Sequence, residues 1–402
     1  MKKNKEKISV KNIAKGIIIG VLVVIILLFI DDSLAYNLYY KDMNTLWSPD
    51  GKHLVFVRYY PMIDGRYAPF EIWKMKPDGS GKTLLYESQD DYNYFGLQSL
   101  LFSDDGNYLN LVEKFQDNDR GIYKEKAVRI PVDSAKKSES AQWELDKKNQ
   151  YDTILAFQNN KVIYRKIHEN NPECAWELLE MDFDTKEVLN NNKFSSQDII
   201  CSSLDYYGDE VIGAVSKMNN TKEKNLSFMY DFNKNHIAKN ELNIFQLLYL
   251  PQKKKTILVI EYEDKAKALV EVNNQSEIID QYQLQLSPEA TDERFRQIII
   301  DKNGENVIFI DGNDLHGVNL ATKGQKLIAK DLSENKIGLV AISPDEKKIT
   351  FTNGDTIFLY DIETKKISSL TQLSPHSKML KKPWFRKYIA IREELIFGGH
   401  SH

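Results

Sequence analysis

The sequence predicts an all-β protein: a β-propeller of seven blades, each of four antiparallel strands, preceded by one transmembrane helix. Three observations carry this. Strand-like apolar runs are joined by turn tetrapeptides such as Ser48-Pro49-Asp50-Gly51. The pattern returns at blade-length spacing along the chain. A wholly apolar segment follows a basic N-terminus.

The clearest copy runs from Leu46 to Tyr86. In Ser48-Pro49-Asp50-Gly51 the proline pre-sets φ, the aspartate tolerates the corner and the glycine accepts φ > 0. Leu46-Trp47 precedes the turn and Leu54-Val55-Phe56-Val57 follows it, as in a hairpin. Pro77-Asp78-Gly79-Ser80-Gly81 is a second corner of this kind, between Glu71–Met75 and Thr83–Tyr86. The order is strand, turn, strand, loop, strand, turn, strand. Such a sheet cannot bury both faces alone, so it must stack on neighbours.

Composition agrees with a globular, strand-rich body. The chain has 402 residues, 42% apolar and 11% aromatic, with 21 Tyr and 18 Phe. The formal charge of −4 gives no basic balance for nucleic acid. The first 16 residues hold six lysines against one glutamate, a net of +5, so the remainder carries −9. Cys174 and Cys201 are the two cysteines. They can form a disulfide outside the cell or stay as free thiols, because sequence does not fix their separation.

Residues 1–11 read as a short cytosolic tail and 12–30 as the membrane anchor. Residues 16–30 hold no polar side chain, and counting back past Lys15 brings the segment close to the ~20 residues of a span. Lysines before it and Asp31-Asp32 after it place the N-terminus inside and the body outside. The rival reading is a signal peptide cleaved after Ser33-Leu34-Ala35, which releases a secreted propeller. Residues 31–44 read as a tether or a first strand.

The body, 45–371, repeats the first copy with decay. Taking Gly51, Gly106, Asn160, Gly208, Lys253, Gly304 and Glu346 as equivalent gives spacings of 55, 54, 48, 45, 51 and 42 residues. Six blades, or eight with Leu34–Tyr40 contributing, are the alternatives. No 3.6-residue period supports a helical solenoid. Residues 372–402 form a tail with a basic, aromatic stretch, Leu380-Lys381-Lys382-Pro383-Trp384-Phe385-Arg386-Lys387. Ring closure against the first blade and a membrane-facing patch are its two readings.

Ser48-Pro49-Asp50-Gly51-Lys52, Pro77-Asp78-Gly79-Ser80-Gly81 and Ser343-Pro344-Asp345 resemble the WD40-like PD40 repeat of TolB-like propellers. The resemblance spans roughly 45–371 and is strongest in the first and last copies. It implies a propeller and a binding role, but no shared partner. The apolar anchor is a departure, since TolB-like proteins are soluble and carry a further N-terminal domain.

No catalytic constellation stands out. Gly79-Ser80-Gly81-Lys82-Thr83 looks like the end of a phosphate loop, but Lys76 stands where that motif needs glycine, and strand follows where it needs helix. There is no Gly-x-Ser-x-Gly elbow and no His-Glu-x-x-His. The acidic turns Asp117-Asn118-Asp119-Arg120-Gly121 and Asp182-Phe183-Asp184 offer at most a weak calcium site, without the later bidentate glutamate; no other cofactor is expected.

The expected contact surface is the loop after the second strand and the next inter-blade segment: Arg58, Tyr59, Tyr60, Arg66, Tyr67, Phe70, Tyr92 and Tyr94. Tyrosine and arginine bury area at low entropic cost and keep a polar handle. The rival reading of these aromatics is packing between blades. The expected function is a membrane-anchored, extracytoplasmic binding or scaffold module for an envelope protein, peptide or glycan. An enzyme acting on a glycan or peptide from a propeller face, and a sensor signalling through a membrane partner, are the alternatives.

Overall fold

In the computed structural model, residues 40–372 are described except for 61–69, 89–92, 118–121, 134–140, 146–151, 169–175, 195–198, 208–209, 218–226, 232–235, 241–243, 251–254, 263–265, 274–277, 287–297, 302–303 and 333–336. Residues 1–39 and 373–402, which include the expected anchor and the tail, lie outside the described residues. Among the described residues no helix is long and apolar enough to cross a membrane.

The described strands form seven four-stranded sheets, each from four consecutive strands in meander order. The first holds β1 (Lys41–Trp47), β2 (Leu54–Tyr59), β3 (Phe70–Met75) and β4 (Thr83–Glu87). The second holds β5 (Asn93–Phe102), β6 (Tyr108–Asp117), β7 (Ile122–Pro131) and β8 (Ala141–Leu145). The third holds β9 (Thr153–Gln158), β10 (Lys161–Ile167), β11 (Trp176–Asp182) and β12 (Val188–Phe194). The fourth holds β13 (Ile199–Tyr207), β14 (Glu210–Lys217), β15 (Ser227–Asp231) and β16 (His236–Asn240). The fifth holds β17 (Ile244–Leu250), β18 (Lys255–Glu261), β19 (Lys267–Val272) and β20 (Ile278–Gln283). The sixth holds β21 (Ile298–Ile300), β22 (Asn306–Asp311), β23 (Asp314–Asn319) and β24 (Gln325–Ala329). The last holds β25 (Ile337–Ile342), β26 (Lys348–Asn353), β27 (Thr356–Asp361) and β28 (Lys366–Ser369). This is an all-β propeller. The first described strand, β1, starts at Lys41, inside the 31–44 stretch expected as a tether or a first strand.

Among the described residues apolar clusters sit between five pairs of neighbouring sheets, as a fold of singly unstable sheets requires. Val55, Val57 and Ile72 pack on Leu109, Leu111 and Val128 of the second sheet. Val112 and Ala127 on the opposite side of that sheet meet Ile154, Phe157 and Val162 of the third. Similar clusters join the fifth sheet to the sixth and the sixth to the last. Leu54, Phe56 and Met75 close the circle against Ile357, Leu359 and Leu370. First and last sheets each supply all four of their own strands, so they close side by side with no shared strand.

First strands neighbour first strands, so they line the ring's inside. Six of the seven, β21 excepted, carry a register shift against the second strand of their sheet. In β1 the shift lies between Met43 and Leu46, and Asn44 takes φ +53° there. A bulge of this kind bends a strand and tightens its twist, which suits a strand wrapped close to the axis.

Antiparallel meanders give the propeller two faces. One carries the β1–β2 type of turn. The other carries the β2–β3 type of loop and every link between sheets, and β1 starts there.

Candidate partner surface

In the first, second, sixth and last sheets the turn face carries one recurring six-residue turn. The Ser48 hydroxyl donates to Asp50 Oδ1 at 2.6 Å and accepts from the His53 amide at 2.9 Å, while the Gly51 amide donates to the Ser48 carbonyl at 2.8 Å. Ser103 with Asp105 and Ser343 with Asp345 repeat it, with hydroxyl-to-carboxylate bonds of 2.5 Å each. In the sixth sheet Asp301 does both jobs, accepting from the Glu305 and Asn306 amides at 2.7 and 3.0 Å. Five of the seven expected turn positions are described. Gly51, Gly106, Asn160, Gly304 and Glu346 have φ of +72°, +71°, +64°, +62° and +60°. The serine hydroxyl holds Asp50, Asp105 and Asp345 below the usual carboxylate range.

These turns also touch one another around the ring. A Cβ on Gly106 would stand 3.2 Å from Pro49, and one on Gly51 would stand 3.7 Å from Pro344. Asp104 accepts from Gln158 Nε2 at 3.1 Å and Asn159 Nδ2 at 2.7 Å. In these described turns the serine and aspartate side chains are thus bonded within the turns themselves or to their neighbours.

The loop face has a different centre, at the seam between first and last sheets. Register sets Asp42 opposite Arg58. Arg58 Nε donates to Asp42 Oδ1 at 2.8 Å and its Nη2 to Oδ2 at 3.1 Å. The guanidinium lies 3.9 Å from the Tyr40 ring centroid and 5.2 Å from that of Trp73, within cation–π range of both. Asp42 is fully buried. Burial pushes its carboxyl up, against the pull of Arg58 and of a hydrogen bond from Thr371. Its backbone N–H donates to the Asp355 carbonyl at 3.3 Å, and Thr45 and Thr350 share a hydroxyl bond of 2.9 Å across the same seam.

The expected contact residues divide here. Arg58 is mostly buried and its charge is committed to Asp42. Tyr59 packs 6.0 Å from Phe70, its phenol accepts from Asn44 Nδ2 at 3.3 Å, and burial pushes it up to about 12. Phe70 is a correction. It is fully buried between Tyr59 and Tyr86, in the cluster joining first and second sheets, because the alternation of β3 turns Phe70 and Ile72 inward together. Tyr60 is half-buried, edge-on to Tyr40 at 6.3 Å; burial and then a hydrogen bond with Glu71 push its phenol up. Arg66, Tyr67 and Tyr92 lie outside the described residues, as does the side chain of Tyr94, whose backbone belongs to β5. What the fold adds to the expected set is Tyr40, Asp42, Glu71 and Trp73, with Trp73 Nε1 donating to Glu71 at 2.6 Å. Two-residue alternation could have placed Glu71 and Trp73 on one side of β3, but the β1 bulge hides the pairing of Asp42 with Arg58 from the sequence.

Elsewhere, Lys76, Gly79 and Ser80 close a hairpin turn through Lys76–Ser80 and Gly79–Lys76 backbone bonds of 2.8 and 2.9 Å, and β4 follows without a helix. Asp182 Oδ1 accepts from the Asp184 and Thr185 amides at 2.9 and 2.8 Å, and its Oδ2 accepts from Asn160 at 2.9 Å, so the acidic turn is closed by its own chain. The other acidic turn falls on 118–121, and Cys174 on 169–175, outside the described residues. Among the described residues, no three His, Cys, Asp or Glu side chains gather as metal ligands do.

No protein-family model matches the chain, and no curated protein does. Solved structures do match. The acylaminoacyl peptidase of Pyrococcus horikoshii aligns with TM-score 0.56 at 11% identity, covering 88% of this chain and 55% of that one. A structure from a study of two prolyl endopeptidases gives 0.54 at 11%, covering 84% and 51%. The β-propeller domain of the Trilobed protease from Pyrococcus furiosus, described as having an open velcro topology, gives 0.53 at 12%, covering 83% and 96%. The chain therefore spans about half of the two peptidases and nearly all of the isolated propeller. At these identities the likeness is one of fold.

Proposed function

We propose that the chain is a membrane-anchored, extracytoplasmic propeller whose seven sheets are seven blades of one ring, and that it binds an envelope protein, peptide or glycan through its loop face. The observation carrying this is the contrast between faces. In the described turns Asp50, Asp105, Asp301 and Asp345 are bonded within the turns themselves, whereas the loop face holds the longest connections, ten residues (60–69) between β2 and β3 and fourteen (284–297) between β20 and β21. Long loops on a rigid scaffold are where binding residues concentrate. The PD40-like turns support the same reading, as does the apolar run at 16–30.

The test is a pull-down of cross-linked full-length protein from its own membrane. A reproducible envelope partner that is lost on Tyr60→Ala with Tyr67→Ala supports the reading; a partner set unchanged by that double substitution removes the loop from it. Bait peptides from before Ala35 support the anchor, and a bait starting at Tyr36 supports the secreted form. The second reading is a propeller-face hydrolase or lyase, favoured only by the fold likeness to peptidase structures.

A further inference from the structure

Two of the described junctions between sheets match position by position, yet one is filled and the other holds a groove. At the second–third junction Arg129 fills the space. It stands opposite Asn110, the third residue of β6. Its guanidinium lies 4.6 Å from the Phe183 ring centroid and 5.8 Å from that of Phe157, within cation–π range. It donates to Asp184 at 3.3 Å and to Asn160. Phe183 is buried and stacked on Phe157 at 4.5 Å.

At the fifth–sixth junction Glu271 holds the place of Arg129, opposite Ile257, the third residue of β18. Leu320 holds the place of Phe183. Each directly follows the third strand of its sheet, and each amide donates back to the preceding turn at 2.8 Å, Phe183 to the Asn160 carbonyl and Leu320 to that of Glu305. Lys186 and Lys323 match as well, with φ of +65° and +57°. An acid and a leucine thus replace an arginine and a phenylalanine, and a solvent-open groove lies there, lined by Leu269, Val318, Leu320, Glu271, Asp280 and Lys323 among others. Leu269 and Val318 are buried, whereas Asp280 and Lys323, an ion pair across the junction, are each well exposed. The enclosed part measures about 20 Å³, room for one ammonium-sized group. Two carboxylates against one ammonium make these lining residues net negative. Ile278, Ile279 and Leu327, on the outer strands of the two sheets that border the groove, are about half exposed.

We infer that this groove receives the cationic side chain of a polypeptide partner, an ammonium in preference to a guanidinium. Its head lies beside Glu271 and Asp280, its stem on Val318 and Leu320, and flanking apolar residues of the partner rest on Ile278, Ile279 and Leu327. The partner supplies from outside the cation that Arg129 supplies from within. The site is built on third and fourth strands at the outer rim, so it does not rest on the loop-face reading.

The test pans a random decapeptide phage library on immobilised full-length protein and measures the selected peptides by calorimetry. Selected peptides carry lysine next to apolar residues. Replacing that lysine by norleucine weakens binding about tenfold or more, and added salt weakens it too. Glu271→Arg, which installs the arginine of the second sheet, also loses about tenfold or more. Ile278→Ser with Ile279→Ser loses less. Should Glu271→Arg lower the melting temperature, Glu271→Gln decides, with a loss of about tenfold expected and an unchanged affinity overturning the site. Failure to select any peptide, or selection without a cation, overturns the proposal. Arginine selected in place of lysine overturns the preference for ammonium. Peptides that bind parent and Glu271→Arg alike also overturn it, and place the peptide site elsewhere on the ring.

Discussion

The two faces of this propeller treat the same residue types in opposite ways. On the turn face, Asp50, Asp105 and Asp345 are exposed, each bonded to a serine two residues earlier, and held in the charged form. On the loop face, Asp42 is buried, bonded to an arginine from the adjacent strand, and pushed toward the neutral form by burial. Local turns close a hairpin. A buried ion pair ties β1 to β2 beside the seam and is costly to break, because the surviving charge has no water around it. Among the described residues the turn face thus has several small, similar ties, and the loop-face end of the first sheet has a buried ion pair.

Breaking the buried ion pair should cost most. Arg58→Ala leaves Asp42 buried without its guanidinium, and urea unfolding should show a loss of about 3 kcal/mol. Arg58→Lys should recover part of it but not the second bond or the stacking on Tyr40. Gly79→Ala comes next. Its φ is +81°, and the new Cβ would stand 2.9 Å from the Leu370 carbonyl oxygen across the seam. A loss of about 2 kcal/mol is expected, whereas Gly312→Ala, also at positive φ but with nothing within 4 Å, should lose about 1 kcal/mol. Equal losses at the two glycines would show that the seam contact contributes nothing.

Smaller still is Ser48→Ala, which removes a donor to Asp50 and an acceptor for the His53 amide in one of several like turns. The expected loss is about 1 kcal/mol. The pH dependence sharpens the contrast. Folded-state values of the turn aspartates are depressed, so their contribution is present above about pH 3.8, the ordinary aspartate value, and is lost as pH falls below it. Asp42 has the opposite sign: its value is raised, so its contribution is present below that pH and lost as pH rises through the folded value. Asp50→Asn, Asp105→Asn and Asp345→Asn together should flatten the acid limb of a stability–pH curve. An unchanged acid limb would show that these bonds do not hold the turns.

The turn face was legible from sequence because its determinants are local. Proline, aspartate and glycine within four residues specify a corner whatever lies around them, and Gly51, Gly106, Gly304 and Glu346 do share one backbone conformation. The seam was not legible, because Asp42 and Arg58 meet only once β1 and β2 take their register, and that register contains a bulge which two-residue alternation cannot reveal. Phe70 misled for a related reason. As the end of an aromatic loop it reads as surface, and as the first residue of β3 it alternates inward with Ile72. Tyr60 differs from it by lying beyond the end of β2, where no alternation applies.

The central claim is that partners meet the loop face and not the turn face. Cross-linking the full-length protein in its native cells and mapping the linked lysines by mass spectrometry tests it directly. The account predicts inter-protein links from Lys166 and Lys217, at the loop-face ends of β10 and β14, and none from the exposed Lys52 and Lys347 of the turns. Links concentrated on Lys52 and Lys347 would contradict it and would make the closed, regular face the one that binds.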